Sequence, residues 1–287
     1  MDLSHNRIVF LGSAVSKHSC LESLAQLRVL ILAHNSISAL EFLNCLPQLE
    51  HLDLSHNDLQ VIENLQHNPN LSYVNLANNN IKDLGSLTNN RYLRNLILDN
   101  NFISSLHYAP KTLPASLESL SLAGNCIEDL QSVTFLTKLT GLRYLDLAQN
   151  PFVKSSFDMG FDLRPFVIFL LRKVVSLNGV SVRKHEQSLA DTLFSSDQGD
   201  LDDELLHLLK PGNAHDLLAY LCASCPLSNH SSNNNYHQSQ KYSERDLQRT
   251  ATLAWGTRSA AASFHQGIIY PFLSTPFILI PILIESL

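Results

Sequence analysis

The sequence predicts an α/β solenoid, with a parallel sheet on its concave side and short helices or 3₁₀ turns on its convex side. The pattern L-x-x-L-x-L-x-x-N-x-[IL]-x-x-[LI] occurs in full five times, beginning at Leu27, Leu49, Leu71, Leu93 and Leu117. Its asparagines recur every 22 to 25 residues. A period of this length with this leucine spacing is the signature of a leucine-rich repeat array. With a partial copy at the start and a degenerate copy from Leu142, about seven repeats are present.

The leucines at positions 1, 4 and 6 of each repeat enclose a short strand. In one repeat they are Leu49, Leu52 and Leu54. Side chains alternate along a strand, so these leucines point inward while positions 3, 5 and 7 point outward. Further apolar residues at positions 11 and 14, such as Ile37 and Leu40, close the coil. One repeat cannot bury these faces alone, so the coils stack into a solenoid.

Position 9 of each repeat carries an asparagine that we expect to be buried. An unpaired buried amide costs about 1–3 kcal/mol, so each should bond backbone groups of its own and a neighbouring coil. This predicted structural column consists of Asn35, Asn57, Asn79, Asn101, Asn125 and Asn150.

Four segments are predicted along the chain. The repeats occupy residues 1–153, a C-terminal cap and helix 154–195, a short helical extension 196–227, and a disordered linker with an apolar tail 228–287. In the cap, a dense apolar run ends at an Asn178-Gly179 turn, and a charged surface helix is expected over Val182–Leu193. Residues 268–284 lack charges but contain three prolines, which disfavour a spanning helix. We favour an extended apolar tail, with a membrane anchor as the alternative.

The first coil is incomplete, because Leu3 corresponds to position 6 of the pattern. We therefore expect further sequence upstream in the natural product, or a gene model that starts late. The net charge of −6 and pI near 6.1 provide no basic field for nucleic acid. The five scattered cysteines and the polar start of the chain favour a reducing, cytoplasmic setting.

The outward positions 3, 5 and 7 form a candidate partner-binding surface on the concave face. A surface of aromatic, apolar and acidic groups suits a partner helix or extended peptide that presents basic side chains. The candidate contact residues are His51, Tyr73, Tyr144, Ile31, Ile97, Asp53, Asp99 and Asp146. The alternative is an ordinary sheet surface, with the partner on the convex side or the flanking helices.

No catalytic or metal site is predicted. His5, His34 and His56 occupy one equivalent position, but the next repeat places Asn78 there, so repeat copying explains them better than a metal site. Cys222 and Cys225 form a single CxxC without a second pair. No nucleophile is paired with a base and no glycine-rich phosphate loop is present, so we expect neither enzymatic activity nor a cofactor.

Several stretches outside the repeat pattern resemble one family. They are Tyr108–Leu117, Gly160–Pro165, Leu177–Gly179, Lys210–Gly212 and Tyr220–Leu227. Together they are similar to the centrosomal leucine-rich repeat and IQ domain proteins of the 97-kDa type, over residues 1 to about 227. The resemblance implies a centriolar scaffold that acts with a 110-kDa capping partner to limit microtubule extension and suppress cilium assembly.

Calmodulin binding, which the resemblance would also imply, is doubtful because no IQ motif is found; Leu247-Gln248-Arg249 lacks the trailing basic spacing. Two other functions remain open. The repeats also resemble phosphatase-binding regulators of the Sds22 type, and the apolar tail would suit a membrane-anchored adaptor.

Overall fold

A computed structural model describes residues 1–11, 24–41, 43–158 and 161–194, together with Leu217, Tyr220 and Leu221. Most of the predicted helical extension and all of the predicted linker and tail lie outside the described residues. The Cys222 and Cys225 pair lies outside them as well.

The described part of the chain contains one sheet of eight short strands in chain order. They are β1 (Val29–Ile31), β2 (His51–Asp53), β3 (Tyr73–Asn75), β4 (Asn95–Ile97), β5 (Ser119–Ser121), β6 (Tyr144–Asp146), β7 (Ser176–Leu177) and β8 (Val180–Ser181). Strands β1 to β7 pair in parallel, and β8 pairs antiparallel with β7. The predicted parallel sheet of a leucine-rich repeat solenoid is confirmed.

The core lies between the sheet and the convex side. Leu49, Leu52 and Leu54 of one coil have no exposed surface, and neither do Ile37 and Leu40 of the preceding coil. Removing one such side chain from water contributes about 1.5–3 kcal/mol. Because every coil repeats these contacts, the strands are held in register along the whole array.

Short helical segments form the convex side. In the described part of the chain, 3₁₀ segments include Leu43–Cys45, Leu65–His67 and Leu130–Lys138, and a one-turn helix α1 spans Ala109–Thr112. Helix α1 lies in the repeat that lengthens to 24 residues between consecutive asparagines of the pattern. The two extra residues are therefore accommodated on the convex side, and the strands before and after them stay in register.

The position-9 asparagines bond between coils. Nδ2 of Asn57 lies 3.0 Å from the carbonyl oxygens of Leu32 and Leu54, and its Oδ1 accepts from the amide of Ile37 at 2.9 Å. Each amide thus joins two neighbouring coils. Equivalent bonds are made by Asn35, Asn79, Asn101, Asn125 and Asn150.

A second amide column on the convex side was not predicted. Asn68 donates to the carbonyl oxygens of Leu43 and Leu46 at 2.7 and 2.8 Å. Asn90 donates to those of Leu65 and Asn68, both at 2.9 Å. Both asparagines are buried, and they occupy position 20 of their repeats, where another coil has Leu46. They link the convex turns as position 9 links the strands.

The cap consists of helices α2 (Pro151–Asp158), α3 (Leu163–Leu170) and α4 (Lys184–Phe194), with the β7–β8 hairpin between α3 and α4. The Asn178-Gly179 turn is left-handed at both residues. Helix α4 differs from the predicted surface helix: it starts at Lys184, and its Phe194 is buried with its ring 5.6 Å from that of Phe166. The apolar side of α4 packs against α3, where Phe194 contacts the aromatic side chains of Phe166 and Phe169.

Candidate partner-binding surface

The parallel register places the outward residues of successive strands side by side. Position 3 forms one row across the sheet: Val29, His51, Tyr73, Asn95, Ser119, Tyr144 and Ser176. Position 5 forms a second row: Ile31, Asp53, Asn75, Ile97, Ser121 and Asp146. All eight predicted contact residues except Asp99 belong to these rows. Asp99 lies at position 7, two residues after Ile97, which is the position-5 residue of the same coil.

His51 and Tyr73 form an aromatic pair on adjacent strands. Their rings stack with centroids 4.2 Å apart and planes within 8° of parallel. Burial, followed by the nearby carboxylates Asp53 and Asp99, raises the pKa of Tyr73 to about 12. Burial lowers the pKa of His51, opposed by Asp53. At neutral pH both rings are therefore favoured in their uncharged forms, and the pair offers a flat, partly buried platform.

The Asp53 carboxylate is held by neighbouring polar groups. Its Oδ1 accepts from the backbone amide and hydroxyl of Ser55 at 2.9 and 2.7 Å, and its Oδ2 accepts from Nδ2 of Asn75 at 3.2 Å. These bonds fix the direction of the carboxylate on the concave face. A basic side chain of a partner would therefore face a carboxylate whose orientation is already fixed.

The Asp99 carboxylate accepts hydrogen bonds from residues of the next coil. Its Oδ1 accepts from Oγ of Ser121 at 2.5 Å and from the amide of Ala123 at 2.9 Å. In three other coils the position-7 amide donates to position 5 of its own coil, as Ser55 does to Asp53, Ala77 to Asn75 and Ala148 to Asp146. Burial raises the pKa of Asp99 to about 6, with Asp146 adding to the shift and the two hydrogen bonds opposing it.

Tyr144 and Asp146 form the C-terminal part of the surface. Tyr144 is 49% exposed, and its neighbours in the row are Ser119 and Ser176, which are too small to cover its ring. Asp146 accepts from the amide of Ala148 at 2.9 Å, and burial raises its pKa. Tyr144 lies three strands from Tyr73, roughly 15 Å away at the usual strand spacing.

The face as a whole is acidic. Within the described coils, positions 3, 5 and 7 carry Asp2, Asp53, Asp99 and Asp146 and no lysine or arginine. Ile31 lies between Asp2 and Asp53 in the position-5 row, whereas Ile97 lies between Asn75 and Ser121, and both isoleucines are half-buried. Arginines occur at position 2, where Arg28 and Arg94 are paired with glutamates of the adjacent coils at 3.3 and 3.8 Å and Arg143 is exposed beside Tyr144. The concave face thus presents acidic and aromatic groups to a partner.

Sequence reasoning missed the groups that hold the carboxylates. Strand alternation predicts only that Ser55 and Ser121 point outward, whereas both hydroxyls donate to an aspartate. The Asp-x-Ser spacing of Asp53 and Ser55 was a usable signal. The bond between Asp99 and Ser121 had none, because it joins residues 22 apart and depends on the register.

The histidines at position 8 stack rather than converge. The ring centroids of His5 and His34 are 4.3 Å apart, and those of His34 and His56 are 3.9 Å apart. Imidazole lone pairs lie in the ring plane, so parallel stacked rings do not direct them at one point. Among the described residues, no group of three or more histidine, cysteine, aspartate or glutamate residues could hold a metal ion.

None of the helices in the described part of the chain has the length and apolarity to cross a membrane. The apolar residues 268–284 lie outside that part.

Comparison with protein families gives a match to the Leucine-rich repeat family over residues 37–205, and a second Leucine rich repeat match over residues 1–59. The chain belongs to the leucine-rich repeat family. Domains of this family are typically non-enzymatic binding modules.

The chain is also similar to the Centrosomal protein of 97 kDa. It is 36% identical to the Homo sapiens protein and 35% identical to the Mus musculus protein over 127 residues, which is 44% of this chain. The Xenopus laevis protein is 36% identical over 126 residues. The matched segment spans only 14% of the length of the human and mouse proteins. The predicted resemblance is confirmed over this segment, which is shorter than the predicted residues 1–227.

Two solved structures have partial similarity to this chain. The Drosophila melanogaster SNF/U2A′ complex contains a chain that is 21% identical, with a TM-score of 0.43 over 52% of this chain and 82% of that chain. Internalin C2 from Listeria monocytogenes is 23% identical, with a TM-score of 0.44 over 55% of this chain and 63% of its own.

Proposed function

We propose that this protein is a non-enzymatic scaffold of the centriole distal end, which acts with a 110-kDa centriolar capping protein to suppress cilium assembly and limit microtubule extension. The observation that supports this most is the 36% identity to the human Centrosomal protein of 97 kDa over 127 residues. A leucine-rich repeat domain supplies the curved surface that such a scaffold needs. The cytoplasm and centrosome are the proposed location.

The proposed contact surface is the acidic and aromatic concave face. Tyr144 is its principal anchor, because its ring is half exposed and unstacked, whereas Tyr73 already packs on His51. Asp53, Asp99 and Asp146 would face basic side chains of the partner, with His51, Ile31 and Ile97 as the apolar floor. A helix or extended peptide carrying arginine or lysine fits this surface.

The proposed division of the chain follows the sequence: repeats at 1–153, cap and helix at 154–195, extension at 196–227, and linker and tail at 228–287. The repeats would carry the partner contact. The cap would close the solenoid core, as the buried Phe152, Phe166 and Phe194 support.

Imaging of the tagged chain against a centriole marker tests the location. Puncta at the centriole distal end are expected. A diffuse or nuclear signal would instead favour a phosphatase regulator, and a membrane signal would favour an anchored adaptor. Overexpression should lower the fraction of ciliated cells, and an unchanged fraction would count against the role in ciliogenesis.

Pull-down of the 110-kDa capping protein tests the surface. Tyr144→Ser should weaken binding roughly tenfold or more, as loss of a central aromatic anchor does. Tyr92→Ser is the matched control, because Tyr92 is 63% exposed and lies outside positions 3, 5 and 7. Equal binding by both variants, with unchanged circular dichroism, would show that the partner contacts another face. The double variant of Tyr73 and Asp99 then tests the N-terminal half in the same way.

A further inference from the structure

Position 8 of each coil forms a column beside the concave face, where the backbone turns in from the strand. His5, His34 and His56 have φ of 55°, 56° and 55°, in the left-handed region. Asn78 and Asn100 follow with φ of 56° and 53°. Asparagine and histidine are among the few side chains that enter this region readily. The backbone therefore holds these side chains in parallel, one above another.

The three imidazoles, called here the histidine column, are in direct contact. The rings of His34 and His56 lie 3.9 Å apart within 12° of parallel, and those of His5 and His34 lie 4.3 Å apart within 11°. A proton on any of these rings places a positive charge against a neighbouring ring. Two protonated neighbours would repel at a separation well below the Debye length of about 8–10 Å, and water weakens this repulsion because all three rings are exposed.

A hydrogen bond joins the histidine column to the asparagines and selects the neutral ring. Nδ2 of Asn78 lies 3.2 Å from Nε2 of His56, and Asn78 in turn accepts from Nδ2 of Asn100 at 3.1 Å. An amide nitrogen can only donate, so Nε2 of His56 must be the acceptor. Protonation of His56 at Nε2 removes that acceptor and breaks the bond.

The carboxylates of Asp53 and Asp2 act on the column, and neither neutralises it. Asp53 favours the charged form of His34, but its oxygens are engaged by Ser55 and Asn75. Asp2 interacts with His5 at the outer end and accepts from the amide of Ser4. Burial, then His56 and His5, lower the pKa of His34 despite Asp53. The neutral form of His34 is thus favoured in the folded stack.

We propose that His5, His34 and His56 form a proton-operated lock, which holds the first three coils together while the rings are neutral and loosens them when the rings are protonated. The lock does not depend on the proposed function. It would place the N-terminal part of the concave face, including Ile31 and Asp53, under the control of pH.

The sign of the effect follows from the lowered pKa of His34. The unfolded ring takes up a proton near its ordinary pKa of 6.5, and the folded ring does so at lower pH. The stack is therefore most stabilising above pH 6.5, and the contribution is lost as pH falls below that value. Asp99 on the fifth coil has the opposite sign, because its raised pKa of about 6 makes acid relieve a buried charge.

Hydrogen exchange measured by NMR on the full chain between pH 7.5 and 5.5, after correction for intrinsic exchange, tests the lock. In the wild type, the amides of Leu32, His34 and Ser36 should lose protection by a factor of roughly three or more, while Leu98 and Asn100 keep theirs. The matched variant is His34→Asn with His56→Asn, because the chain itself uses asparagine at Asn78 and Asn100. Its protection in the first three coils should not change with pH.

A histidine titration on the unaltered protein provides a second measurement that needs no variant to fold. The Hε1 resonance of His34 should titrate below pH 6.5, in the same range in which protection is lost. Equal pH dependence in the wild type and the asparagine variant would overturn the lock. So would constant protection across the range, or loss of protection at a pH where His34 does not titrate.

Discussion

The side chain of Arg164 donates from Nε to Oε1 of Glu186 across 2.6 Å, in a pair that is only 15% and 22% exposed. The other guanidinium nitrogens donate to the carbonyl oxygens of Leu177 and Ser181, both at 3.1 Å. A single side chain on α3 thereby holds the β7–β8 hairpin and α4. The last coil of the solenoid depends on this arrangement for its closure.

Replacing Glu186 with glutamine should therefore lower the free energy of unfolding by about 2 kcal/mol at pH 7, because it leaves a buried guanidinium without its counter-charge. The hydrogen bond from Arg164 holds the pKa of Glu186 below its ordinary 4.5. The stability it contributes is present above pH 4.5 and is lost as pH falls below that value. Urea denaturation at pH 7 and pH 3 should show the difference between wild type and variant shrinking toward zero.

The exposed pair of Arg28 and Glu50 is the control for this prediction. Its side chains are 71% and 47% exposed, so Arg28→Gln should change stability by less than about 1 kcal/mol. A comparable loss in both variants would show that enclosure of the Arg164 pair is unimportant.

The loss of stability on removing a position-9 asparagine side chain should depend on how deeply that asparagine is buried in the array. Asn79→Ala should cost about 2 kcal/mol, because Asn79 is buried and its loss leaves the amide of Leu59 without its partner. The carbonyl oxygens of Leu54 and Leu76 each lose one of two bonds and keep those from Asn57 and Asn101. Asn35→Ala should cost about 1 kcal/mol, since Asn35 is half-buried and water can replace its bonds. Chemical denaturation of the two variants measures the ratio. Equal costs would mean that burial does not set the contribution of an amide.

The position-9 amides could be predicted because their spacing recurs in six coils, whereas Asn68 and Asn90 recur only twice and replace a leucine. Arg164 and Glu186 lie in the cap, where no period exists to relate residues 22 apart. In the cap, the high density of apolar residues predicts that this segment covers the end of the hydrophobic core. It does not predict the polar contacts that hold the segment in place.

The concave rows could be derived from strand alternation, since Tyr73 and Tyr144 both fall at position 3. The different surroundings of the two tyrosines could not be derived in this way. Tyr73 stacks on His51 and Tyr144 is exposed beside Ser176, and both facts depend on which strands are neighbours. Ser176 belongs to β7, a strand that does not follow the repeat pattern. That these residues bind a partner stays a prediction.

Gly124 should resist substitution because it continues the position-8 column. Its φ is +65°, and a Cβ there would collide with Oδ1 of Asn100. Gly124→Ala should cost about 1–2 kcal/mol from the left-handed backbone, plus a smaller part for displacing Asn100. Combining it with Asn100→Gly removes the collision and leaves only the backbone part. A double-mutant cycle by urea denaturation measures this, and zero coupling would show that Asn100 moves aside without loss.

Asp99→Asn should stabilise the protein at pH 8, which is unusual for a buried polar position. The asparagine Oδ1 can still accept from Ser121 and Ala123, while the charge that burial disfavours is gone. The pKa of Asp99 is raised from 3.8 to about 6, so the ionised form is fully penalised above pH 6, and the penalty fades as pH falls toward 3.8. We expect a gain of about 1–2 kcal/mol at pH 8 that declines steadily toward pH 4.

The exposed Asp83 is the matched control, and Asp83→Asn should change stability by less than about 0.5 kcal/mol at either pH. A gain at Asp99 that does not vary with pH would point to packing instead of charge. A loss at pH 8 would show that the carboxylate contributes a favourable interaction that the buried environment does not offset.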